Sequence, residues 1–312
     1  MTELYKTFNA FLRERFGTRV FRVPLDAGFD CPNRDGTRAF GGCTFCDERG
    51  SGAPTIKTGL DVRKQLDAGI NRVARRYKAT KFLAYFQAFT NTYAPEGALK
   101  MLYDAGLSHP DVVGLCIGTR PDCVPDNVLD LLSDYSEKTF VWLEIGLQSA
   151  FDRTLDLINR AHTAGEFFDA VKRSKQRGLL VATHLIFGLP GESREEMLET
   201  VRQVALSGVD GVKIHQLCIY KGTPMEADYR SGQLATLEED DYIQLVCDAL
   251  EMLPPDMVIM RLVAEGSQEE IIAPSWSFEK FRIMEKIDAE LHRRGTKQGS
   301  RCTAPQAVAA TQ

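Results

Sequence analysis

Histidine and paired cysteines are both scarce in this chain of 312 residues. It has five histidines, the first of which is His109, and its one C-x-x-C pair is formed by Cys43 and Cys46. A structural zinc ion takes four protein ligands, usually from two such pairs that lie close together in sequence. The composition therefore argues against a closed zinc site built on this pair.

Long apolar runs are also missing. No stretch approaches the roughly 20 apolar residues that a membrane span requires. Charges interrupt the first 17 residues, MTELYKTFNAFLRERFG, so the pattern of a secretory signal is absent. Eight cysteines at uneven spacing do not indicate a secreted disulfide scaffold. We therefore expect a cytoplasmic protein with no membrane partner.

Three cysteines lie in one loop-forming stretch, residues 26–47, which reads DAGFDCPNRDGTRAFGGCTFCD. Eleven residues, rich in Pro, Asn, Asp, Gly and Arg, separate Cys31 from Cys43, and such a spacer can fold back so that three thiols meet. Three thiolates leave one metal position open, and thiolate ligation suits zinc or an iron–sulfur cluster. We favour the cluster; the alternatives are zinc, buried structural thiols or a disulfide.

The rest of the chain alternates apolar strands with amphipathic helices. We predict six strands at residues 20–25, 81–87, 111–117, 139–145, 179–187 and 209–217. Helices are predicted at residues 3–16, 60–77, 95–105, 125–133, 166–176 and 193–206, the last capped by Ser193. This alternation predicts an α/β fold with a parallel sheet, and six units indicate a partial (β/α)6 barrel.

Three regions follow from these patterns. Residues 1–235 would form the barrel with its N-terminal helix, and residues 236–299 a C-terminal α/β extension packed on it. The extension has helical patterns at 237–252 and 278–294 and a strand pattern at 257–263. Residues 300–312 have the composition of a disordered tail.

Polar residues recur where the predicted strands end, which is where parallel barrels hold their chemistry. From these positions we take four candidate catalytic residues: Arg120, Cys123, His215 and Lys221. Cys123 would donate a hydrogen atom to a substrate radical, or it is a small buried hydrophobe. His215 and Lys221 are candidate acid–base groups or structural residues. Arg120 faces the substrate or closes a turn with Asp122.

The cysteine loop, with Phe45 just before the last cysteine, resembles the radical S-adenosylmethionine (SAM) superfamily. The motifs PLDAGFDCPN, GGCTFCDERGSG, IGTRPDC and IFGLPGE resemble in particular a bacterial group, the YhcC/YtqA family. This resemblance covers nearly the whole chain, to about Gly299. The usual spacer of three residues is replaced by eleven, as in the long spacers of the Elongator catalytic subunit. The resemblance implies a (β/α)6 core and a 4Fe-4S cluster on Cys31, Cys43 and Cys46.

The resemblance also implies how SAM is held. Glu144 and Gln148 match positions that hold its ribose in enzymes of the coproporphyrinogen oxidase type, although Glu144 also fits a buried, satisfied carboxylate. Arg160 matches the arginine that binds the methionine carboxylate, although a surface ion pair is the plainer alternative. IFGLPGE, with Ile186 and Gly188, resembles the adenine-contact segment, and Leu217 is a further candidate. Because the usual Gly-Gly-Glu is absent, Gln87, Thr90 and Asn91 are the candidates for the amine.

The implied activity is reductive cleavage of SAM to a 5′-deoxyadenosyl radical, with flavodoxin or ferredoxin as reductant. The Elongator likeness points to a modified wobble uridine of tRNA as substrate. A net charge of −5 argues mildly against broad nucleic-acid binding. Three basic clusters, at residues 13–22, 72–81 and 293–301, nevertheless leave RNA as a candidate partner. Each cluster also fits a helix face exposed to solvent. The alternatives are a small metabolite as substrate, or a non-catalytic metal-bearing RNA-binding module.

Overall fold

The computed structural model describes residues 3–50, 61–264, 266 and 268–303. The strands are β1 (Val20–Leu25), β2 (Lys81–Phe86), β3 (Val112–Thr119), β4 (Phe140–Gln148), β5 (Leu180–Phe187), β6 (Gly211–Gln216), β7 (Ile219–Tyr220), β8 (Val258–Arg261) and β9 (Ile271–Ala273). The helices are α1 (Phe8–Phe16), α2 (Val62–Tyr77), α3 (Glu96–Gly106), α4 (Asp126–Ser136), α5 (Asp152–Leu157), α6 (Ala164–Gln176), α7 (Arg194–Leu206), α8 (Pro224–Arg230), α9 (Glu239–Met252) and α10 (Lys280–Arg294).

One curled parallel sheet organises the molecule. In the described part of the chain it contains seven strands in the order β1-β2-β3-β4-β5-β6-β8, and each neighbouring pair is parallel. Side chains on its outer face, such as Val23, Phe86 and Leu143, belong to the large core shared with the surrounding helices. The sheet is therefore buried on both faces, which explains why its strands are nearly continuous apolar runs.

The N-terminal helix α1 closes the lower part of the concave face. Phe8 and Leu12 pack there with Trp142 and other inward-facing residues in a second core cluster. The rings of Phe8 and Trp142 lie 5.1 Å apart, and the Trp142 indole N–H donates to the sulfur of Met260 at 3.0 Å. The lower part of the half-barrel is thus largely filled with side chains.

The predicted α/β fold and its six alternating strands are confirmed, and the extension adds to them. Its strand β8 pairs with β6 and becomes the seventh strand of the same sheet. Helices α9 and α10 form where the sequence predicted them, while α8 and the antiparallel pair β7–β9 were not predicted. Pairing between distant segments leaves no local signal, so β8 was recognisable as a strand but not as part of the barrel.

Two further predictions concern the ends and the membrane. Arg301 pairs with Asp248 and Glu251 on α9, so the start of the predicted tail contacts the extension. Residues 304–312 of that tail lie outside the described residues. No helix in the described ranges is both long enough and apolar enough to cross a membrane.

Candidate functional site

A cavity of about 330 Å³ opens at the C-terminal ends of the barrel strands. Its lining residues are far apart in the chain, but many of them lie at the ends of successive strands or just after them. The predicted site residues that line it are Cys31, Cys43, Cys46, Gln87, Thr90, Arg120, Glu144, Gln148, Arg160, Ile186, His215 and Leu217. The expectation that polar strand ends share one pocket therefore holds for most of the candidates.

Local hydrogen bonds shape the cysteine loop. The carbonyl of Cys31 accepts from the N–H of Arg34 at 2.7 Å, and that of Cys43 accepts from the N–H of Cys46 at 3.0 Å. Each bond closes a tight turn beside a thiol. The Asn33 amide donates to the carbonyl of Asn159 at 2.5 Å, and the Asn159 amide donates back to that of Gly42 at 2.8 Å. The loop is thus fastened to the segment that follows α5.

Hydrogen-bond donors surround the thiols of this loop. The sulfur of Cys43 lies 3.4 Å from the Asn33 amide nitrogen and 3.5 Å from the Arg160 guanidinium, and the sulfur of Cys46 lies 3.5 Å from Arg34. Donors and cations of this kind stabilise thiolates and set the potential of a bound cluster. The donor set therefore fits an iron–sulfur cluster.

The thiols share a cavity but are not a preformed ion site. Over the described ranges, no group of three or more His, Cys, Asp or Glu side chains is arranged to hold a metal ion. The expectation that the loop brings three thiols to one point is therefore met only to the extent that Cys31, Cys43 and Cys46 line the same cavity.

Arg160 and Gln148 present polar atoms that lack partners. Arg160 is buried and donates from Nη2 to the carbonyl of Gly146 at 3.0 Å, while its Nε has no hydrogen-bond partner. The amide oxygen of Gln148 is likewise buried and unpartnered. A Cβ at Gly146 would lie 2.7 Å from Arg160 and 2.8 Å from Gln148, so only glycine lets both side chains reach the cavity here. Buried polar groups of this kind are expected to meet a ligand.

Arg120 pairs with Asp122 and also lines the cavity. Its Nε donates to Asp122 at 2.9 Å and its Nη2 to the carbonyl of Arg160 at 2.8 Å, yet it also lines the cavity. Burial opposes its charge, but attraction to Asp122, Cys43 and Cys31 outweighs burial and raises the pKa of Arg120. Arg120 therefore places a permanently charged guanidinium beside the thiols.

A buried charge network lies deeper in the same cavity and was not predicted. One oxygen of Glu144 accepts from the Tyr85 hydroxyl at 2.8 Å, lies 2.9 Å from the ring of His184 and also accepts from Lys213. Burial, the largest effect, would raise the pKa of Glu144, but Lys213, His184 and Arg22 together hold it well below its usual value. Its other oxygen has no hydrogen-bond partner, so the ribose role predicted for Glu144 would have to use that atom.

Two predicted residues near β3 do not reach the cavity. Cys123 lies in the short 3-10 turn Pro121–Cys123 and is buried away from the lining, where burial raises the pKa of its thiol. Asn91 is fully buried, and its amide donates to the carbonyl of Gly118 at 2.8 Å. Neither side chain lines the cavity, and the site roles predicted for them stay predictions.

Gly188 and Lys221 also lie outside the cavity lining, and the site roles predicted for them stay predictions. The N–H of Gly188 faces the sulfur of Met197 at 3.1 Å, and a Cβ there would meet Leu237 and not an open space. Lys221 is exposed just after β7, outside the lining. His215 does line the cavity; burial and then Arg261 hold its pKa well below the usual value, so it is neutral near pH 7.

The three basic clusters are not grouped around the cavity. Arg75 and Arg76 end α2 just before β2 begins, and Arg19 precedes β1, so these residues lie at the N-terminal edge of the sheet. The cavity opens at the opposite edge. Arg293 and Arg294 of the third cluster pair with Glu290 and other acids. Apart from Arg22, which pairs with Glu144, the cluster residues named here lie away from the cavity mouth.

Comparison with known proteins identifies the family. A family model described as the radical SAM superfamily matches residues 34–204, and one described as the Radical_SAM C-terminal domain matches residues 209–293. The chain is 48% identical over 295 residues to the uncharacterized protein YtqA of Bacillus subtilis, covering 95% of this chain and 92% of YtqA. It is 40% identical over 306 residues to protein YhcC of Escherichia coli, covering 98% and 97%.

More distant proteins match part of the chain. A tRNA uridine(34) acetyltransferase of Dehalococcoides mccartyi is 28% identical over 156 residues, which are 49% of this chain and 33% of that protein. Among solved structures, the archaeal Elp3 of Methanocaldococcus infernus superposes with a TM-score of 0.68 at 18% identity. That match covers 89% of this chain and 64% of the archaeal one, and it shows a common fold.

Proposed function

Because this chain belongs to the radical SAM superfamily and is a radical SAM enzyme, we propose that Cys31, Cys43 and Cys46 hold a 4Fe-4S cluster with SAM bound beside it. The observation that carries the proposal is one cavity shared by three thiols, three guanidiniums near them and unpartnered buried polar atoms. A cluster held by these thiols would supply the electron for reductive cleavage of SAM, while the residues of this chain would hold and orient SAM and the substrate.

The residues of this chain would orient SAM. Arg160 bridges Cys43 and the end of β4, so its guanidinium is the proposed partner of the methionine carboxylate. The unpartnered amide oxygen of Gln148 would accept from a ribose hydroxyl. Gln87 and Thr90 line the cavity after β2 and are the proposed partners of the amine. Ile186 and Leu217 supply an apolar surface for the adenine.

The proposed substrate is a modified wobble uridine of tRNA. The similarity to a tRNA uridine(34) acetyltransferase supports this, as does the fold shared with the archaeal Elp3. A uridine would have to leave the anticodon stack to enter the cavity, as in other enzymes that act on single bases. Flavodoxin or ferredoxin is the proposed class of reductant.

Phosphates would then be held at the rim of the cavity and not at the three basic clusters. Lys221 is exposed there: Tyr220 before it lines the cavity, and its own N–H donates to the carbonyl of Glu270, another lining residue, at 2.9 Å. Charge reversal Lys221→Glu should weaken tRNA binding and flatten its salt dependence, because one phosphate contact is lost. Arg76→Glu, an equal charge change at the opposite edge, serves as the matched control and should change binding less.

The test of the substrate is stimulation of SAM cleavage. Anaerobic, cluster-loaded enzyme should form 5′-deoxyadenosine faster with tRNA from cells that lack this gene than with tRNA from wild-type cells. The same two tRNA pools should differ in one wobble nucleoside by mass spectrometry. Stimulation by a small-metabolite extract and not by either tRNA would replace the tRNA proposal with a metabolite substrate.

A further inference from the structure

The deep end of the cavity carries an excess of positive charge. Glu144 lies four residues before Gln148 on β4, which places it about 13 Å below the strand end. At this level Glu144 is the acidic group, and it faces Lys213 and Arg22. Arg261 follows on β8, where it pairs in register with Lys213. Three cations therefore share one carboxylate.

Arg261 is the cation that remains uncompensated. Lys213 binds Glu144 directly, and Nη1 of Arg22 lies 3.7 Å from the second carboxylate oxygen. Arg261 lines the cavity, and no described residue accepts a hydrogen bond from it or forms an ion pair with it. Burial and then repulsion by Arg22 lower the pKa of Arg261, so the protein itself disfavours this charge. A guanidinium in such a place needs an anion that the chain does not provide.

Two neighbouring polar atoms also lack a hydrogen-bond partner. Nε2 of His215 and Nη1 of Arg22 are both buried and have no hydrogen-bond partner. The ring of His215 lies 5.8 Å from that of His184, which belongs to the Glu144 network. Leaving buried polar groups unsatisfied is unfavourable, so these two groups beside the unpaired Arg261 indicate a ligand site, although the unpartnered oxygen of Glu144 faces the same region.

Arg22 and Arg261 also line a second cavity. It has a volume of about 390 Å³ and lies on the open side of the half-barrel, between β1 and β8. Arg261 thus stands where both cavities meet, and Arg22 lines the second of them. Oxygen atoms of a ligand group have room there without displacing core side chains.

We propose that the floor of the cavity binds an anionic group of the substrate, a carboxylate or a phosphate, with Arg261 as its principal partner. A planar guanidinium binds either group through two parallel hydrogen bonds, while Arg22 and His215 add contacts from the side. This subsite differs from the place of Arg160 at the strand end. The inference rests on the proposed function only in taking the bound anion as part of the substrate.

Anion binding to the loaded enzyme tests the proposal. Cluster-loaded protein saturated with SAM is titrated calorimetrically with sodium acetate or with inorganic phosphate at constant ionic strength. At least one of the two should bind in the millimolar range, and Arg261→Met should weaken that binding at least ten-fold. Arg261→Lys keeps the positive charge but cannot form two parallel hydrogen bonds, so it should retain an intermediate affinity. Arg63→Met, at an exposed site on α2, should behave like the wild type.

The outcomes separate the anion sources and the two proposals. Acetate binding alone assigns the subsite to a carboxylate, and phosphate binding alone assigns it to a phosphate. Absence of binding by both anions, or equal binding by wild-type and Arg261→Met protein, overturns the proposal. SAM affinity measured on the same samples should be equal in all four proteins, so a failure of the SAM site itself is recognised separately.

Discussion

At the scale of single residues, polar side chains from distant parts of the chain meet in one cavity. Cys43 and Arg160 follow strands, and the sequence assigned both to the cavity that they line. Tyr85, His184 and Lys213 lie within strands of the sheet, and only the curl of the sheet brings them to Glu144. Because side chains alternate between the two faces along each strand, the sequence could have shown that these residues share one face of the sheet.

The carboxylate role proposed for Arg160 gives a direct binding prediction. Arg160→Met should weaken SAM binding by about 1.5–3 kcal/mol, about ten- to a hundred-fold in Kd, because a hydrogen-bonded charge is lost. Arg153→Met is the matched control, since Arg153 is exposed and pairs with Glu196 at the surface. Calorimetry on anaerobic protein measures both, and an unchanged Kd for Arg160→Met would remove this residue from the site.

The Glu144–Lys213 pair gives a stability prediction. Lys213→Met should lower the free energy of unfolding by about 3–5 kcal/mol, because Glu144 would stay buried without its closest cation. The double variant Lys213→Met/Glu144→Leu should recover part of that loss. Lys64→Met, which breaks the exposed pair with Asp61, should cost less than about 1 kcal/mol. Urea unfolding tests the set; equal losses for Lys213→Met and Lys64→Met would contradict the account.

At the scale of elements, apolar periodicity located the strands and helices of the barrel, and capping residues marked some helix starts. Ser193 was predicted as the cap of α7, and its hydroxyl accepts from the N–H of Glu196, whose carboxylate accepts in turn from the N–H of Ser193. Thr163 and Glu166 make the same capping box on α6. The partner of β8 could not be predicted, because it depends on how the whole sheet curls.

The cap of α7 should be measurable by itself. Ser193→Ala removes the acceptor of a helix N–H and should cost about 0.5–2 kcal/mol of stability. Ser207→Ala, at the other end of the same helix, keeps the N-terminal cap and should cost less. Thermal unfolding of the two proteins compares them, and a smaller effect at Ser193 than at Ser207 would show that the cap contributes little.

At the scale of the whole molecule, buried histidines link stability to pH. Burial is the first cause that lowers the pKa of His162, His184 and His215, to about 4 for His184. Each folded-state pKa lies below the unfolded value near 6.5, so the unfolded chain binds more protons below that pH. The stability contributed by neutral histidines is present above pH 6.5 and is lost as the pH falls.

This linkage predicts how steeply the free energy of unfolding depends on pH. Between pH 6.5 and 5.5 the free energy of unfolding should fall by up to about 1.4 kcal/mol for each such histidine. His184→Gln should make that slope smaller by one proton. Urea titrations at several pH values give the slopes, and identical slopes for wild type and His184→Gln would refute the assignment.

The proposed activity depends most on one proposed assembly, a 4Fe-4S cluster on the three thiols at the mouth of the half-barrel. Thiolate ligands hold such clusters, and the loss of one ligand destabilises them. The most direct measurement is the iron content and visible absorbance of anaerobically reconstituted Cys43→Ala protein, with Cys247→Ala as control because Cys247 is buried in the core of the extension, outside the cavity lining. We predict about four irons and a cluster spectrum for wild type and Cys247→Ala, and loss of both in Cys43→Ala; full cluster retention in Cys43→Ala would contradict the assignment.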